Sequence, residues 1–168
     1  LTWMAAEWIR FGKPSVLGIV TGMVAGLGTI TPDSGYVGPG GAIIIGILAG
    51  VVCFTATLWV ERSLRIDDSL DVFPVHGVGG IIGTLLAGVF ASTHLGPFSG
   101  QGFAAGIESI VAQVGIQALG VASVFVYTGV LTWIILKVLQ ATMGLRVAVE
   151  NEQVGLDIFE HEERGYDL

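Results

Sequence analysis

The sequence predicts an all-α membrane protein, a polytopic bundle of transmembrane helices. Three observations predict it: only 12% of the residues are charged, the mean hydropathy is +0.79, and four long stretches carry no charged side chain. An ordinary soluble domain has about a quarter of its residues charged. Because a charged side chain near a bilayer centre costs about 2.5–3.5 kcal/mol, charge-free stretches of this length indicate membrane spans.

The predicted spans follow one another along the chain with short connections. The first residues, LTWMAAEWIR, have the character of the last turns of a helix, and we expect that helix to begin upstream of the sequence. Residues 1–143 form the predicted transmembrane domain, and residues 144–168 form a separate tail. Complete spans are predicted over 15–32, 38–60, 72–91 and 103–143.

The basic residues indicate which way the chain faces. The connections that contain arginine or lysine alternate with two that contain neither, TPDSGYVGPGG and STHLGPFSGQG. Basic residues accumulate on the cytoplasmic side of membrane proteins. We therefore expect a multi-pass protein of the cell membrane whose C-terminus is cytoplasmic. The tail carries most of the net charge of −7 and is expected to pack on the inner face of the membrane part.

Glycine recurs at intervals of four residues within three of the predicted spans. Residues four apart share a helix face, and glycine there lets two backbones approach closely where lipid supplies no hydrophobic drive. Membrane helices are rich in glycine in general, so a single pair indicates little, but three stripes in adjoining spans predict a compact bundle. The stripes are Gly18, Gly22 and Gly26; Gly46 and Gly50; and Gly79 and Gly83.

His76 lies in the stretch DVFPVHGVGGIIGTLLAGVF, at the start of a predicted span. A neutral imidazole in apolar surroundings keeps one hydrogen-bond donor and one acceptor for a small polar solute. The alternative is a histidine near the inner interface that bonds a backbone carbonyl. Pro74 is tolerated only in the first turn of a helix and should push Phe73 out of helical dihedrals. The stretch DDSLDVFP is therefore predicted to be extended or broken, which would carry His76 deeper into the protein.

Three aspartates precede this histidine, and they have two interpretations. Asp67, Asp68 and Asp71 can cap the helix and place charge at the interface, which is an ordinary structural role. They can also form an inner vestibule that attracts cations. Both interpretations remain open at the level of the sequence.

The chain lacks the patterns of catalysis and of cofactor binding. It has no nucleophile–histidine–acid set, no metal-ligand cluster and no basic patch suited to nucleic acid. Cys53 stands alone within a span, where it is expected to pack as a small residue. We therefore expect a protein that is not an enzyme, that needs no cofactor or metal, and that contacts membrane lipid and no nucleic acid.

Four stretches of the sequence resemble the C-terminal half of ammonium transporters of the Amt/Mep/Rh family, on the Amt side. The resemblance implies an eleven-span fold with two inverted halves, assembled as a homotrimer with one pore per subunit. This chain would run from the end of span seven through span eleven. The stretches are distributed along nearly the whole chain, from residue 7 to residue 168, and are EWIRFGKPSVLG, GLGTITPDSGYVGPGGAIIIGILAG, DDSLDVFPVHGVGGIIGTLLAGVFA and GLRVAVENEQVGLDIFEHEERGYDL.

The resemblance also implies a function and roles for single residues. His76 matches the second of two pore histidines, Val72 matches a pore-wall residue, and Asp68 and Asp71 match acidic residues of the inner vestibule. The implied function is transport of ammonium or ammonia through a hydrophobic pore lined by histidines. The family's first half, which supplies the other pore histidine and the outer cation site, has no counterpart in this sequence. Pro74 departs from the family, in which many members have glycine there.

The resemblance leaves a second function open, which is sensing of ammonium through the tail. In the family, the tail contacts the cytoplasmic face and receives trimeric PII-type signalling proteins. Gly155, Asp157, His161 and Tyr166 are accordingly candidates for a regulatory surface. A tail that only stabilises the trimer is the simpler alternative. A pore for another small neutral solute is a third possibility.

Overall fold

In the computed structural model, residues 1–163 are described, and all regular structure among them is helical. The prediction of an all-α membrane bundle is thereby confirmed. Four segments are long and apolar enough to cross a membrane: Val16–Asp33, Pro39–Leu64, Phe73–Phe90 and Ile110–Thr142. The α-helices are α1 (Thr2–Phe11), α2 (Val16–Ile30), α3 (Pro39–Trp59), α4 (Gly79–Phe90), α5 (Ile110–Thr142), α6 (Val149–Val154) and α7 (Leu156–His161).

The chain forms two compact units, Leu1–Ala122 and Ser123–Leu168. Within the first unit, α2 packs against α1, α3 and α4, and α3 also contacts α1 and α4. Its core contains Trp3 and Phe54, whose rings meet edge to face with centroids 5.6 Å apart. Cys53 is buried in the same cluster, which confirms its predicted role as a small packing residue.

The segment before α4 is π-helical and spans Phe73–Val78. The prediction that Phe73 lies outside the helix is wrong, because helical geometry already begins at Val72, with φ −61° and ψ −48°. Pro74 lies in the first turn, as predicted, where its missing N–H costs little. The physical reason for the early start is the Asp68 carboxylate, which accepts the N–H groups of Val72 at 2.9 Å and of Phe73 at 2.8 Å.

The last span begins later than predicted. The sequence predicted helix from residue 103, but α5 begins at Ile110 and the residues between are not helical. Gly102 and Gly106 adopt φ angles of 106° and 84°, which interrupt a right-handed helical path. Instead, the backbone of this connection is tied to the end of α4, since the Gly102 N–H donates to the Ala91 carbonyl at 2.7 Å.

The glycine stripes form close helix contacts at five of their seven positions: Gly18, Gly22, Gly50, Gly79 and Gly83. The closest approach joins α2 and α4, because a Cβ on Gly83 would overlap the backbone carbonyl of Thr29. A Cβ on Gly79 would lie 2.8 Å from the Thr29 hydroxyl oxygen. The prediction of close packing is wrong for Gly26 and Gly46, which have open space around them.

The difference in space around Gly83 and Gly26 predicts that alanine substitutions at these two positions differ in their effect on stability. Gly83→Ala should destabilise the protein by about 1–3 kcal/mol, because the added methyl group meets backbone that cannot move aside. Gly26→Ala should leave stability unchanged or raise it slightly, because alanine favours helix and the space is open. Thermal unfolding in detergent, followed by circular dichroism, measures both. Equal midpoints for the two variants would contradict the close contact between α2 and α4.

Candidate functional site

His76 lies in the π-helical segment, and its side chain is exposed. The imidazole passes close to α2, since a Cβ added to Gly28 would lie 3.8 Å from His76 Nδ1. Val72, the predicted pore-wall residue, is 51% exposed. The sequence predicted an imidazole in apolar surroundings. Within residues 1–163, α2 passes beside the imidazole at Gly28 and the side chain is otherwise exposed.

Asp68 caps the helix that carries His76. Its two carboxylate oxygens separately accept the N–H groups of Val72 and Phe73. A carboxylate at this position satisfies donors that have no partner within the helix and interacts favourably with the helix dipole. The geometry favours the capping interpretation for Asp68, and a role in an inner vestibule stays a prediction.

Asp71 occupies a different environment, three residues further along. It is half-buried and has a left-handed backbone, with φ 53°, which aspartate tolerates better than most residues. Burial raises the pKa of its carboxyl above the ordinary value of 3.8, and the negative charges of Glu61 and Asp68 raise it further. The Thr57 hydroxyl lies beside the carboxyl and offsets part of this rise in pKa, although the two groups do not have the geometry of a hydrogen bond. Asp71 is therefore the carboxylate of this region that holds its proton more tightly than usual.

Glu7 is a functional-site candidate that the sequence reasoning missed. It lies on α1, is only 9% exposed, and accepts the backbone N–H of Ser15 at 2.8 Å and the Ser15 hydroxyl at 3.2 Å. The Ser15 hydroxyl oxygen in turn accepts the Gly18 N–H at 2.9 Å, which caps α2. The available signal was an acidic residue inside an apolar helix, followed at eight positions by a serine that begins the next span.

Gln113 holds the connection between α4 and α5 in place. Its side-chain oxygen accepts the backbone N–H of Ala104 at 3.3 Å, in the non-helical stretch before α5. Both residues line a cavity of about 330 Å³, together with Tyr36 and Gln117. Over residues 1–163, no group of three or more acidic, histidine or cysteine side chains could hold a metal ion.

The predicted regulatory residues lie in the second unit. Gly155, with φ 105°, separates α6 from α7, which pack against each other. Asp157 and His161 belong to α7, and both side chains are exposed. Arg146 forms a bidentate ion pair with Glu152, with N–O distances of 2.9 and 3.0 Å. Tyr166 lies outside the described residues.

The raised pKa of Asp71 predicts how stability depends on pH. Because the folded state binds this proton more tightly than the unfolded state, the contribution of Asp71 is most favourable below pH 3.8 and is lost as pH rises through the folded pKa. Asp71→Asn should remove this loss, so its thermal midpoint should rise relative to the wild type as pH increases from about 4 to 7. The exposed Ser63→Ala, at a nearby position without a titratable group, is the control and should follow the wild-type pH curve. Parallel pH curves for wild type and Asp71→Asn would contradict the assignment.

Comparison with known proteins gives a consistent result over the whole chain. Residues 1–166 match the family described as the Ammonium Transporter Family. A putative ammonium transporter of Methanothermobacter thermautotrophicus is 44% identical over 167 residues, which are 99% of this chain and 40% of that protein. An ammonium transporter of Aquifex aeolicus is 44% identical over 168 residues, covering 100% of this chain and 38% of that protein.

A solved structure agrees with the sequence relatives. The structure of a protein named Sensor Amt Protein superimposes with a TM-score of 0.82 at 32% identity, over 95% of this chain and 38% of that one. The chain thus spans about two fifths of the length of the relatives that it matches. Its four candidate spans make it a multi-pass membrane chain. The family match extends over nearly every residue, and the chain belongs to the ammonium transporter family.

Proposed function

We propose that the protein transports ammonium, as ammonia with a separately handled proton, through a hydrophobic pore that His76 and Val72 line. The observation that carries the proposal is the position of His76. It lies in a π-helical turn of a span without charged residues, with one side of its ring near Gly28 and the rest exposed. Departures from regular α-helix of this kind are frequent at functional sites.

The cost of moving an ion explains why a histidine serves this purpose. Transfer of an ammonium-sized ion from water to a low-dielectric interior costs on the order of 20 kcal/mol in the idealised Born estimate. Ammonia carries no charge and avoids most of that cost. A neutral imidazole can accept one hydrogen bond and donate another, so it can hold ammonia and pass a proton without leaving net charge in the pore.

The proposed pore requires protein on the open side of His76. The relatives are about two and a half times as long as this chain. In the proposal, a segment equivalent to the remainder of those relatives covers the exposed faces of Val72 and His76 and contributes a second pore histidine. The assembly is a homotrimer in the cell membrane with its C-terminus in the cytoplasm. The substrate enters or leaves on the inner side past Asp68 and Asp71, which make the vestibule acidic.

The two vestibule carboxylates act differently in this proposal. Asp68 has both oxygens engaged by the helix start, so it contributes a fixed negative charge rather than a ligand. Asp71 has a carboxyl that burial and neighbouring charges dispose toward protonation. It is the better placed of the two to exchange a proton with a passing solute.

His76→Ala tests the transport proposal. Uptake of labelled methylammonium is measured in cells that lack their own ammonium transporters and express the native gene product. We expect His76→Ala to lose at least about 90% of ammonium-competed uptake, equivalent to about 1.4 kcal/mol or more in rate terms. The exposed His94→Ala is the matched control and should transport normally. Unchanged uptake and selectivity in His76→Ala would overturn the role of this histidine.

A second candidate function is sensing, and one observation favours it. The solved structure with a TM-score of 0.82 carries the name Sensor Amt Protein, and it covers 95% of this chain. In this alternative the tail, through Gly155, Asp157, His161 and Tyr166, responds to ammonium and binds a PII-type partner. Helices α6 and α7 meet at Gly155, whose positive φ makes the bend sensitive to substitution.

Two tail variants separate the sensing role from a purely structural one. Deletion of residues 144–168 should abolish binding of a PII-type protein while light scattering still detects a trimer. Gly155→Ala should weaken that binding, because alanine at φ 105° is strained. Gly120→Ala, at an open position on α5, should not. Loss of the trimer on deletion, with partner binding unaffected in Gly155→Ala, would assign the tail to assembly alone.

A further inference from the structure

A cavity of about 220 Å³ lies in the first unit, where α1, α2, α3 and the segment before α4 meet. Two of its lining residues, Trp3 and Glu7, come from one face of α1, one turn apart. Thr57 and Glu61 likewise lie one turn apart, at the end of α3 and in the π-helical turn that follows it. Asp71 completes the polar lining. Residues four apart share a helix face, so the two pairs point into the same space.

Two polar groups in the lining have no partner. The indole N–H of Trp3 and the hydroxyl oxygen of Thr57 make no hydrogen bond with any of residues 1–163, and their side chains are only 3% and 7% exposed. Buried polar groups are nearly always hydrogen-bonded, to protein or to ordered water. A cavity of this volume has room for several water molecules. Both groups therefore point to polar contents in the cavity.

The charge of the lining is unbalanced. Glu7, Glu61 and Asp71 contribute three carboxylates, and Arg62 is the one basic residue beside them. Glu7 already accepts hydrogen bonds from the Ser15 N–H and hydroxyl, whereas Asp71 and Glu61 form no ion pair within the described part of the chain. The Arg62 guanidinium instead lies over the Phe11 ring, 5.9 Å from its centroid. The carboxylates at the cavity thus lack a neutralising partner.

We propose that this cavity binds a monovalent cation together with part of its water shell. Asp71, Glu61 and the Thr57 oxygen face the cation, and a bound water accepts the Trp3 N–H, which would repel a bare cation. Residues 1–163 offer no convergent set of three carboxylate, histidine or cysteine ligands to a bare metal ion, which favours a cation held partly through water. The cavity lining does not include His76 or Val72 but shares Asp71 with the proposed inner vestibule. The test therefore uses Trp3, Thr57 and Glu61, to which the transport proposal gives no role.

The experiment titrates the native protein in lipid nanodiscs with ammonium chloride, replaced by N-methylglucamine chloride at constant ionic strength. The readout is the indole N–H resonance of Trp3, assigned by its loss in Trp3→Phe. We expect a saturable shift, with potassium acting similarly. Glu61→Gln and Thr57→Val should each weaken apparent affinity about tenfold. Glu150→Gln, an exposed glutamate of the tail, is the matched control and should bind as the wild type does.

The outcomes that overturn the proposal are distinct from failure of transport. A Trp3 resonance that does not move, or that moves without saturation, removes the site. Equal affinity in Glu61→Gln and Glu150→Gln removes the carboxylate contribution, and saturation by magnesium at lower concentration than ammonium assigns a divalent site instead. His76→Ala should keep the saturable shift even where uptake is lost. Saturable binding in that variant separates this site from the pore.

Discussion

The backbone contact between α2 and α4 determines the rest of the first unit. Gly83 faces the Thr29 carbonyl, so the two backbones meet directly there, and Gly79 leaves room for the Thr29 hydroxyl between the helices. Between such helices lipid gives no hydrophobic drive, and close van der Waals contact takes its place. The same approach brings the π-helical turn against α2 and places the His76 ring near Gly28. A side chain larger than hydrogen at Gly83 would separate the helices and move the histidine with them.

The helix starts are stabilised by carboxylates that come from outside the helix. Asp68 caps the turn that leads to His76, and Glu7 fixes Ser15, which caps α2. Each acidic side chain satisfies N–H groups that the membrane could not solvate. These hydrogen bonds stabilise the Asp68 and Glu7 carboxylates without a basic partner. Among the described residues, no backbone N–H donates to the Asp71 carboxylate, and burial raises the pKa of that carboxyl.

Much of the fold could be predicted from the sequence, because charge-free stretches and four-residue glycine spacing report directly on span length and helix contact. The late start of α5 could not be predicted, since residues 103–105 are apolar and continue the pattern of a span, whereas the backbone turns at Gly102 and Gly106 delay the helix. The π-helical turn at His76 could not be predicted from the sequence either, because one turn with i to i+5 hydrogen bonds produces no recognisable periodicity in the side chains. Burial of Glu7 depends on its hydrogen bonds to Ser15, the residue that caps α2, and neither residue alone indicates this contact. The exposure of His76 could not be predicted either, because it depends on which helices pack around the ring and not on the residues next to it in the sequence.

The two polar regions of the first unit place opposite demands on charge. Around His76 the span has no charged residue, so a cation there would have no counter-ion within the span. Around Asp71 three carboxylates share one guanidinium, which is itself engaged with an aromatic ring, so a neutral occupant would leave the negative charge unbalanced. A cation favours the second region for the same electrostatic reason that it avoids the first.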